Sequence, residues 1–296
     1  MGYRPHTSYS AISQYQRCPL QYYFQRILKL PSDTVASGLV LGGAVHEALA
    51  EYHLQLQRIE RASVPDLNVE EVRWKLIEEF ERRENEAKVV YGSRETRDGL
   101  IEQGMTLVET YLKLEPPKHI RQVEQTVLVP LVNSSGDPLE TPLATVADLI
   151  YGEDDGLTIR ELKTSKRAYT QDQIDTALQA TCYANAVVES RGVWPRIEYA
   201  VLTKTKTPRA QLLTTSRGVD DVGRLGDLVQ TIQRAIAAKV FYPIESPLNC
   251  SGCPYRAECL EWKPATPTEW ELIQLGDYRE PTSEPLPERL PEAAPC

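Results

Sequence analysis

Two short apolar runs, Ala144–Tyr151 and Leu157–Lys163, are rich in Val, Ile, Leu and Thr and are separated by Glu153-Asp154-Asp155-Gly156. Such runs predict strands, and an acidic tetrad ending in glycine predicts the tight turn of a hairpin. Gln122–Val132 precedes them as a third strand of a meander, and Ile197–Thr203 and Ala210–Thr215 follow as further strands. Elsewhere the period changes. From Gly43 to Leu56 the residues Val45, Leu49, Tyr52 and Leu56 recur at helical spacing, so His46 is expected at a helix start. Val69–Tyr91 and Glu95–Leu114 are two more helical patterns, heavily charged, divided by Gly92-Ser93 and closed by Pro116-Pro117. Asp172–Val188 predicts another helix. Asp220–Val240 predicts an amphipathic one with Val222, Leu225, Leu228, Val229, Ile232 and Ile236 inward. Ser8–Leu28 predicts a short helix, capped by Ser8 or Ser10, that runs into a Tyr/Phe-rich turn.

The pattern is that of an α/β protein: a mixed central β-sheet flanked by helices, with a helical insert. One domain is expected over residues 1–263. Within it lie an inserted helical subdomain at about 57–117, a core at about 118–215, and a C-terminal helix with a cysteine-rich segment at 219–263. Residues 264–296, rich in Pro and Glu, hold too little apolar content to pack and are expected to form a flexible tail. No internal repeat is visible.

Composition narrows the function. The chain of 296 residues carries a formal net charge of −9, which argues against a protein that coats nucleic acid nonspecifically. It does not argue against an enzyme with an acidic metal site and a locally basic groove. No apolar run is long enough to span a bilayer, and Met1–His6 lacks the apolar stretch of a signal peptide. A cytoplasmic location with no membrane partner is the expectation.

The chemistry gathers at the hairpin. With Asp154-Asp155 at the tip, Asp148 faces Glu161; with Asp155-Gly156 at the tip, Asp148 faces Lys163 and Glu161 lies diagonally beside it. Side chains alternate along strands, so both registers put Asp148, Glu161 and Lys163 on one face. A divalent-metal site with a cationic partner fits that face, and so does a surface salt bridge. Gln179 and Tyr183 lie four apart and share a helix face. His46 is a candidate ligand or a core histidine. His46-Glu47 is no metalloprotease motif, because a second histidine would be needed at Ala50.

His46, Asp148, Glu161-x-Lys163-Thr164 and Gln179-x-x-x-Tyr183, in that order, resemble the PD-(D/E)XK nuclease superfamily in its RecB-like branch. The resemblance covers roughly Ser8 to Leu260 and departs at Thr145, where the family often has Gly; by alternation Thr145 faces away from the site. It implies metal-dependent hydrolysis of DNA by an exonuclease acting on single-stranded ends, or an accessory subunit that processes or binds DNA ends. It assigns Mg²⁺ or Mn²⁺ to His46, Asp148, Glu161 and the carbonyl of Leu162, and transition-state stabilisation to Lys163. Gln179 and Tyr183 would position the strand and the site. Similar nucleases work in CRISPR adaptation and in helicase–nuclease recombination, so a separate helicase or another such protein is an implied partner beside DNA.

Cys250-x-x-Cys253-Pro254-x-x-x-x-Cys259 and the remote Cys18 resemble the iron–sulfur subgroup of these nucleases, which implies a [4Fe–4S] cluster. A four-cysteine zinc site and disulfides are the alternatives. Cys182 is expected to be a buried apolar filler, and Cys296 ends the chain. Lys166, Arg167, Lys204, Lys206 and Arg209 are candidates for a phosphate-binding groove or for a solvated rim. Tyr22, Tyr23 and Phe24 are candidates for base stacking or for packing beside Cys18.

Overall fold

The hydroxyl of Ser8 accepts the backbone N–H of Ala11 at 3.3 Å, so strand β1 (Thr7–Ser8) turns directly into helix α1 (Tyr9–Arg17). The computed structural model describes residues 6–32, 34–62, 67–154 and 156–263. Cys18 is extended and separates α1 from α2 (Pro19–Tyr22), which has Pro at its first position and runs into a π-helical turn over Tyr23–Ile27. The expected aromatic turn is therefore helical.

A small parallel ladder, β2 (Thr34–Ala36) with β3 (Lys88–Val90), ties the start of α3 (Ser37–Ala62) to the end of α4 (Val69–Glu86). Helix α5 (Arg97–Leu112) completes this layer. His46 was expected at a helix start, but it lies in the third turn of α3. The apolar spacing runs on upstream through Val40, Leu41, Ala44 and Val45, and the glycines do not break it. They allow close approach instead. A Cβ at Gly43 would stand 2.2 Å from the guanidinium carbon of Arg83, and one at Gly42 would stand 3.2 Å from Thr164 Oγ1.

The main sheet comprises β4 (Ile120–Val129), β5 (Leu143–Tyr151), β6 (Thr158–Ser165), β7 (Arg196–Thr203) and β8 (Ala210–Thr215) in that spatial order, with β1 beside the start of β5. The β4-β5-β6 meander is antiparallel, β6–β7 is parallel and β7–β8 is antiparallel. Alternation decides the two faces. Leu162, Ala200 and Leu202 share one core with Val45, Leu49, Leu76, Phe80, Leu107 and Tyr111, so α3, α4 and α5 pack directly on the sheet. The helices of the expected insert form one layer of a compact unit that extends to Cys259.

The opposite face is covered by α6 (Gln171–Asp175), α7 (Leu178–Arg191), α1 and α8 (Val219–Ala237). The expected helix Asp172–Val188 is broken at Thr176-Ala177. The Arg217 guanidinium explains the break, since it donates to the carbonyls of Ile174 at 2.9 Å and Ala177 at 3.1 Å. Helix α8 turns Leu225, Val229 and Ile232 inward as its spacing predicts, and α9 (Pro247–Cys250) and α10 (Arg256–Glu261) carry the cysteine-rich segment. The expected tail, 264–296, lies outside the described residues. Among the described residues no helix is long and apolar enough to cross a membrane.

Candidate active site

The site lies where two strands part. Gly156 N–H donates to the Glu153 carbonyl at 3.1 Å, and Leu149 pairs with Arg160; this is the register that sets Asp148 across from Glu161. Asp148 and Glu161 are the first residues beyond the paired segment. There β5 leaves β6 and pairs with β1 through Leu143 and Ala144. The backbone N–H of Leu162 faces this fork and donates to Asp148 Oδ2 at 2.7 Å. A buried carboxylate thus takes the place of the missing strand partner.

On the α7 side four side chains close a ring. Lys163 Nζ lies 2.5 Å from Glu161 Oε1 and donates to Gln179 Oε1 at 2.9 Å. Gln179 Nε2 donates to the Tyr183 hydroxyl at 2.7 Å, and that hydroxyl donates to Glu161 Oε2. Starting α7 at Leu178 puts Gln179 and Tyr183 on successive turns facing β6. Burial, then Asp148, raises the pKa of Glu161 against the opposition of Lys163 and Tyr183. Burial works against the Lys163 ammonium, but the adjoining Glu161 outweighs it and raises that pKa.

From the α3 side His46 Nδ1 comes within 3.6 Å of Asp148 Oδ2. Burial disfavours the imidazolium, yet Asp148 outweighs it and raises His46. Burial likewise opposes ionisation of Asp148, but His46, the Leu162 N–H and Lys163 lower its pKa on balance. A residue absent from the expected set joins them. Glu124 falls opposite Asp148 in the β4–β5 ladder, with left-handed backbone (φ 48°), just past a register shift at Ile120/Gln122. Burial, then the charge of Asp148, pushes Glu124 up to about 8. Donor atoms of His46, Glu124 and Asp148 all lie within 4.8 Å of one another. Two carboxylates and an imidazole suit Mg²⁺ or Mn²⁺. Of the other expected ligands, Glu161 faces Lys163 and Tyr183 with its two oxygens, and the backbone of Leu162 faces Asp148 through its N–H.

A buried polar layer backs the fork and has no counterpart in the sequence reading. Arg160 Nε donates to Glu198 Oε1 at 2.5 Å, and its Nη1 donates to the Tyr111 hydroxyl at 3.0 Å. That hydroxyl lies 2.8 Å from His53 Nε2, seven residues beyond His46 on α3. Burial and then Arg160 lower His53 to about 3, so it is neutral. The layer links α3, which carries His46, to β6, which carries Glu161.

The basic residues divide. Because β6 and β7 are parallel, Ser165 pairs with Thr203, and Lys166 and Lys204 emerge side by side. Burial and then Lys166 lower the pKa of Lys204, against Glu95. Lys206 and Arg209 lie in the β7–β8 connection, and Arg167 just after β6.

Cys18, Cys250, Cys253 and Cys259 line one small cavity, together with Gln21, Pro243 and Asn249. All four are free thiols, and burial raises Cys253 and Cys259. Among the described residues the close ligand spacing found at His46, Glu124 and Asp148 is not found at these thiols. The aromatic residues beside Cys18 pack rather than present free faces: Tyr23 lies 4.6 Å from Phe241 and Phe24 lies 5.9 Å from Tyr255, between ring centroids. Cys182 is buried in the α1–α7–α8 core, where burial pushes its thiol up to about 12.

The model of the PD-(D/E)XK nuclease superfamily matches residues 6–260, and the chain belongs to that superfamily. No curated protein matches it. Among solved structures it is similar to a protein from Eubacterium rectale named as a candidate exonuclease. That match has a TM-score of 0.52 and 11% identity, and covers 93% of this chain and 94% of that one. Looser likenesses, too weak to argue from, are SSO0001 (TM-score 0.35, 12% identity, 84% and 94% covered) and Rai1 of Scheffersomyces stipitis (0.25, 12%, 74% and 65%). At such identities the likeness to the Eubacterium rectale protein shows the fold: a mixed central sheet flanked by helices, restriction-endonuclease-like.

Proposed function

We propose that this member of the PD-(D/E)XK nuclease superfamily is a metal-dependent deoxyribonuclease that removes nucleotides from single-stranded DNA ends. The observation that carries the reading is the fork itself: a closed ring fixes Lys163 against Glu161, beside an Asp148 that already faces His46. Hydrolysis of a phosphodiester needs a water activated in line with phosphorus and compensation of charge on the phosphoryl oxygens. A bound Mg²⁺ or Mn²⁺ supplies an acidified water and Lewis acidity at that place. Asp148 and His46 would hold the ion, with the resemblance adding Glu161 and the Leu162 carbonyl.

Each remaining residue then has a task. Lys163 places a point charge where negative charge develops, and it is already oriented, so little reorganisation is needed in the transition state. Gln179 aims Lys163, and Tyr183 holds the second oxygen of Glu161. Asp148 stays ionised because three donors or cations face it. Lys166, Arg167, Lys204, Lys206 and Arg209 would bind the phosphates of the strand leading to the fork.

We assign a [4Fe–4S] cluster to Cys18, Cys250, Cys253 and Cys259. Their common cavity, which brings the remote Cys18 to the three C-terminal cysteines, supports this. A four-iron cluster takes one thiolate per iron, so four cysteines suffice. A compartment that keeps thiols reduced, the cytoplasm, suits both the cluster and the free thiols.

The test is digestion of single-stranded DNA labelled separately at each end, with added Mg²⁺ or Mn²⁺. Short products should appear from one end only, and cutting should cease in EDTA. Glu161→Ala should abolish it. A well-folded Glu161→Ala protein that cuts at the wild-type rate, or wild-type cutting in chelator by protein stripped of metal, would sink the assignment.

A further inference from the structure

Resting on that nuclease reading, we propose that Arg83 of α4 grips a phosphate of the single strand next to the one that is cut. None of the motifs read from the sequence includes a residue of α4. The packing of α4 on α3 brings one in. A Cβ placed on Gly43 would stand 2.2 Å from the Arg83 guanidinium carbon and 2.5 Å from its Nε and Nη1, so the guanidinium fills the space that a side chain there would take. Gly43 precedes His46 by three residues, and positions three apart on a helix are neighbours, about 5–6 Å between Cβ atoms. Arg83 therefore lies about one turn of α3 from the histidine of the fork.

The surface beside it suits an extended ligand. Leu39, Gly42, Gly43 and His46 follow one another at helical spacing on α3. Leu39 is 68% exposed and both glycines are partly exposed, so between Leu39 and His46 the stripe carries no side chain of its own. Another backbone can come close to such a stretch. Its two sides are marked by other elements: Thr164 of β6 beside Gly42, where a Cβ would stand 3.2 Å from Oγ1, and Arg83 beside Gly43. A strand laid along the stripe would pass between β6 and the guanidinium and arrive at His46.

Arg83 has donors left to offer there. A guanidinium carries five N–H donors. Arg83 Nε donates to Glu79 Oε1 at 2.6 Å, and among the described residues Nη1 and Nη2 donate to no partner. The neighbouring Arg82 is the opposite case. Its Nε and Nη2 donate to Glu79 at 2.7 and 2.6 Å, and its Nη1 donates to Glu86. Glu84 is paired with Arg97, so it does not answer Arg83 either. Buried Glu79 thus anchors both arginines but holds Arg83 by one nitrogen only, leaving a rigid pair of terminal nitrogens that matches two phosphate oxygens.

The experiment is equilibrium binding of a fluorescein-labelled single-stranded oligonucleotide to full-length protein in EDTA, read by anisotropy over a series of salt concentrations. Arg83→Ala should weaken binding at least about 10-fold, the scale of a hydrogen bond to a charged group. It should also lower the slope of log affinity against log salt by about 0.7, the increment for one phosphate of a single strand. Arg82→Ala removes the same charge one residue away and should change affinity by less than about 2-fold, with the slope unchanged. Gly43→Ala keeps every charge, but its Cβ takes the place of the guanidinium, so binding should weaken. Alanine suits a helix better than glycine, so this variant decides the matter even if Arg83→Ala fails to fold. With Mg²⁺ and saturating DNA, single-turnover cutting by Arg83→Ala should stay within about 3-fold of wild type, because the gripped phosphate is not the one cut.

Wild-type affinity and slope in Arg83→Ala, wild-type affinity in Gly43→Ala, or an equal loss in Arg82→Ala overturns the proposal and leaves the nuclease reading intact. So does a loss of rate at saturating DNA as large as the loss of affinity. Wild-type protein that neither binds nor cuts single-stranded DNA overturns both.

Discussion

The fork and the cysteine junction solve opposite problems with similar means. At the fork, residues from neighbouring strands and two helices surround a deficit of backbone pairing. A carboxylate, Asp148, takes up the N–H that a strand would have used, and further ionisable groups are stacked about it. At the junction the parts come from the two ends of the chain, and uncharged contacts hold them. Tyr15 donates to the Val240 carbonyl at 2.7 Å, Leu20 N–H to Tyr242 at 3.0 Å, Asn249 to Arg17 at 3.0 Å and Tyr255 to Leu30 at 3.1 Å. The fork concentrates charge at a cost in desolvation; the junction closes a loop of more than two hundred residues by ordinary hydrogen bonds and ring contacts. Damage at the fork should therefore appear in chemistry, and damage at the junction in stability.

The sharpest attempt to break that division is Lys163→Ala. Its ammonium is held by Glu161 and Gln179 and bears on no apolar core, so the fold should survive. The rate should fall by about 10²–10³-fold or more, the range for removal of one preorganised group that stabilises transition-state charge. Single-turnover cleavage, read beside the melting temperature, checks both halves. A large drop in melting temperature with a residual rate in proportion to folded protein would show that the fork is structural.

The division also explains what could be read from residues alone. The hairpin was legible because its polar residues sit at alternate positions between two turn-bounded apolar runs, and alternation fixes a face whatever the register. Ile197–Thr203 and Ala210–Thr215 stand within a residue of the observed strands for the same reason. What escaped depended on partners distant in sequence. Gly42-Gly43 looked like a helix start because nothing local shows the Arg83 guanidinium or Thr164 that fills the space beside it. The break at Thr176-Ala177 needs Arg217, some forty residues on, to satisfy its carbonyls. Glu124 was the costliest omission. The strand was expected, but a glutamate gives no sign of a left-handed backbone, and the register shift that sets it opposite Asp148 is a property of the β4–β5 ladder.

Cys18→Ser tests the junction. If the four cysteines share a cluster, metal binding becomes part of the folding free energy, and closing so long a loop restrains the unfolded chain. Anaerobically purified wild-type protein should be brown, with iron and sulfide in near-equal amounts. Cys18→Ser should be colourless and melt at least about 5 °C lower, a shift that at this chain length corresponds to a few kcal/mol. Cys182→Ser, in the α1–α7–α8 core and away from the cavity, should keep the colour. Full iron in Cys18→Ser would break the shared-cluster assignment. Stoichiometric zinc without sulfide, in protein made anaerobically with ample iron, would replace it with a zinc site and leave the fork untouched.

The smallest effect comes from making one chemical change in both regions. Tyr255→Phe removes a hydroxyl that donates to the Leu30 carbonyl, while the ring can keep its place 5.9 Å from Phe24. One neutral hydrogen bond contributes about 1 kcal/mol net, so the melting temperature should fall by about 2–3 °C. Cleavage rate and Mn²⁺ affinity should stay at wild-type values. Tyr183→Phe removes a hydroxyl of the same kind, but this one joins Gln179 to Glu161 in the ring. Stability should move as little, since a donor to a buried carboxylate is lost together with the burial of a phenol. The rate should fall by about 10-fold, because Glu161 and Lys163 lose a restraint on their geometry. Paired melting curves and single-turnover rates for the two variants decide the matter. If Tyr255→Phe slowed cleavage as much as Tyr183→Phe, the junction would be coupled to the chemistry, and the separation of the two regions would fail.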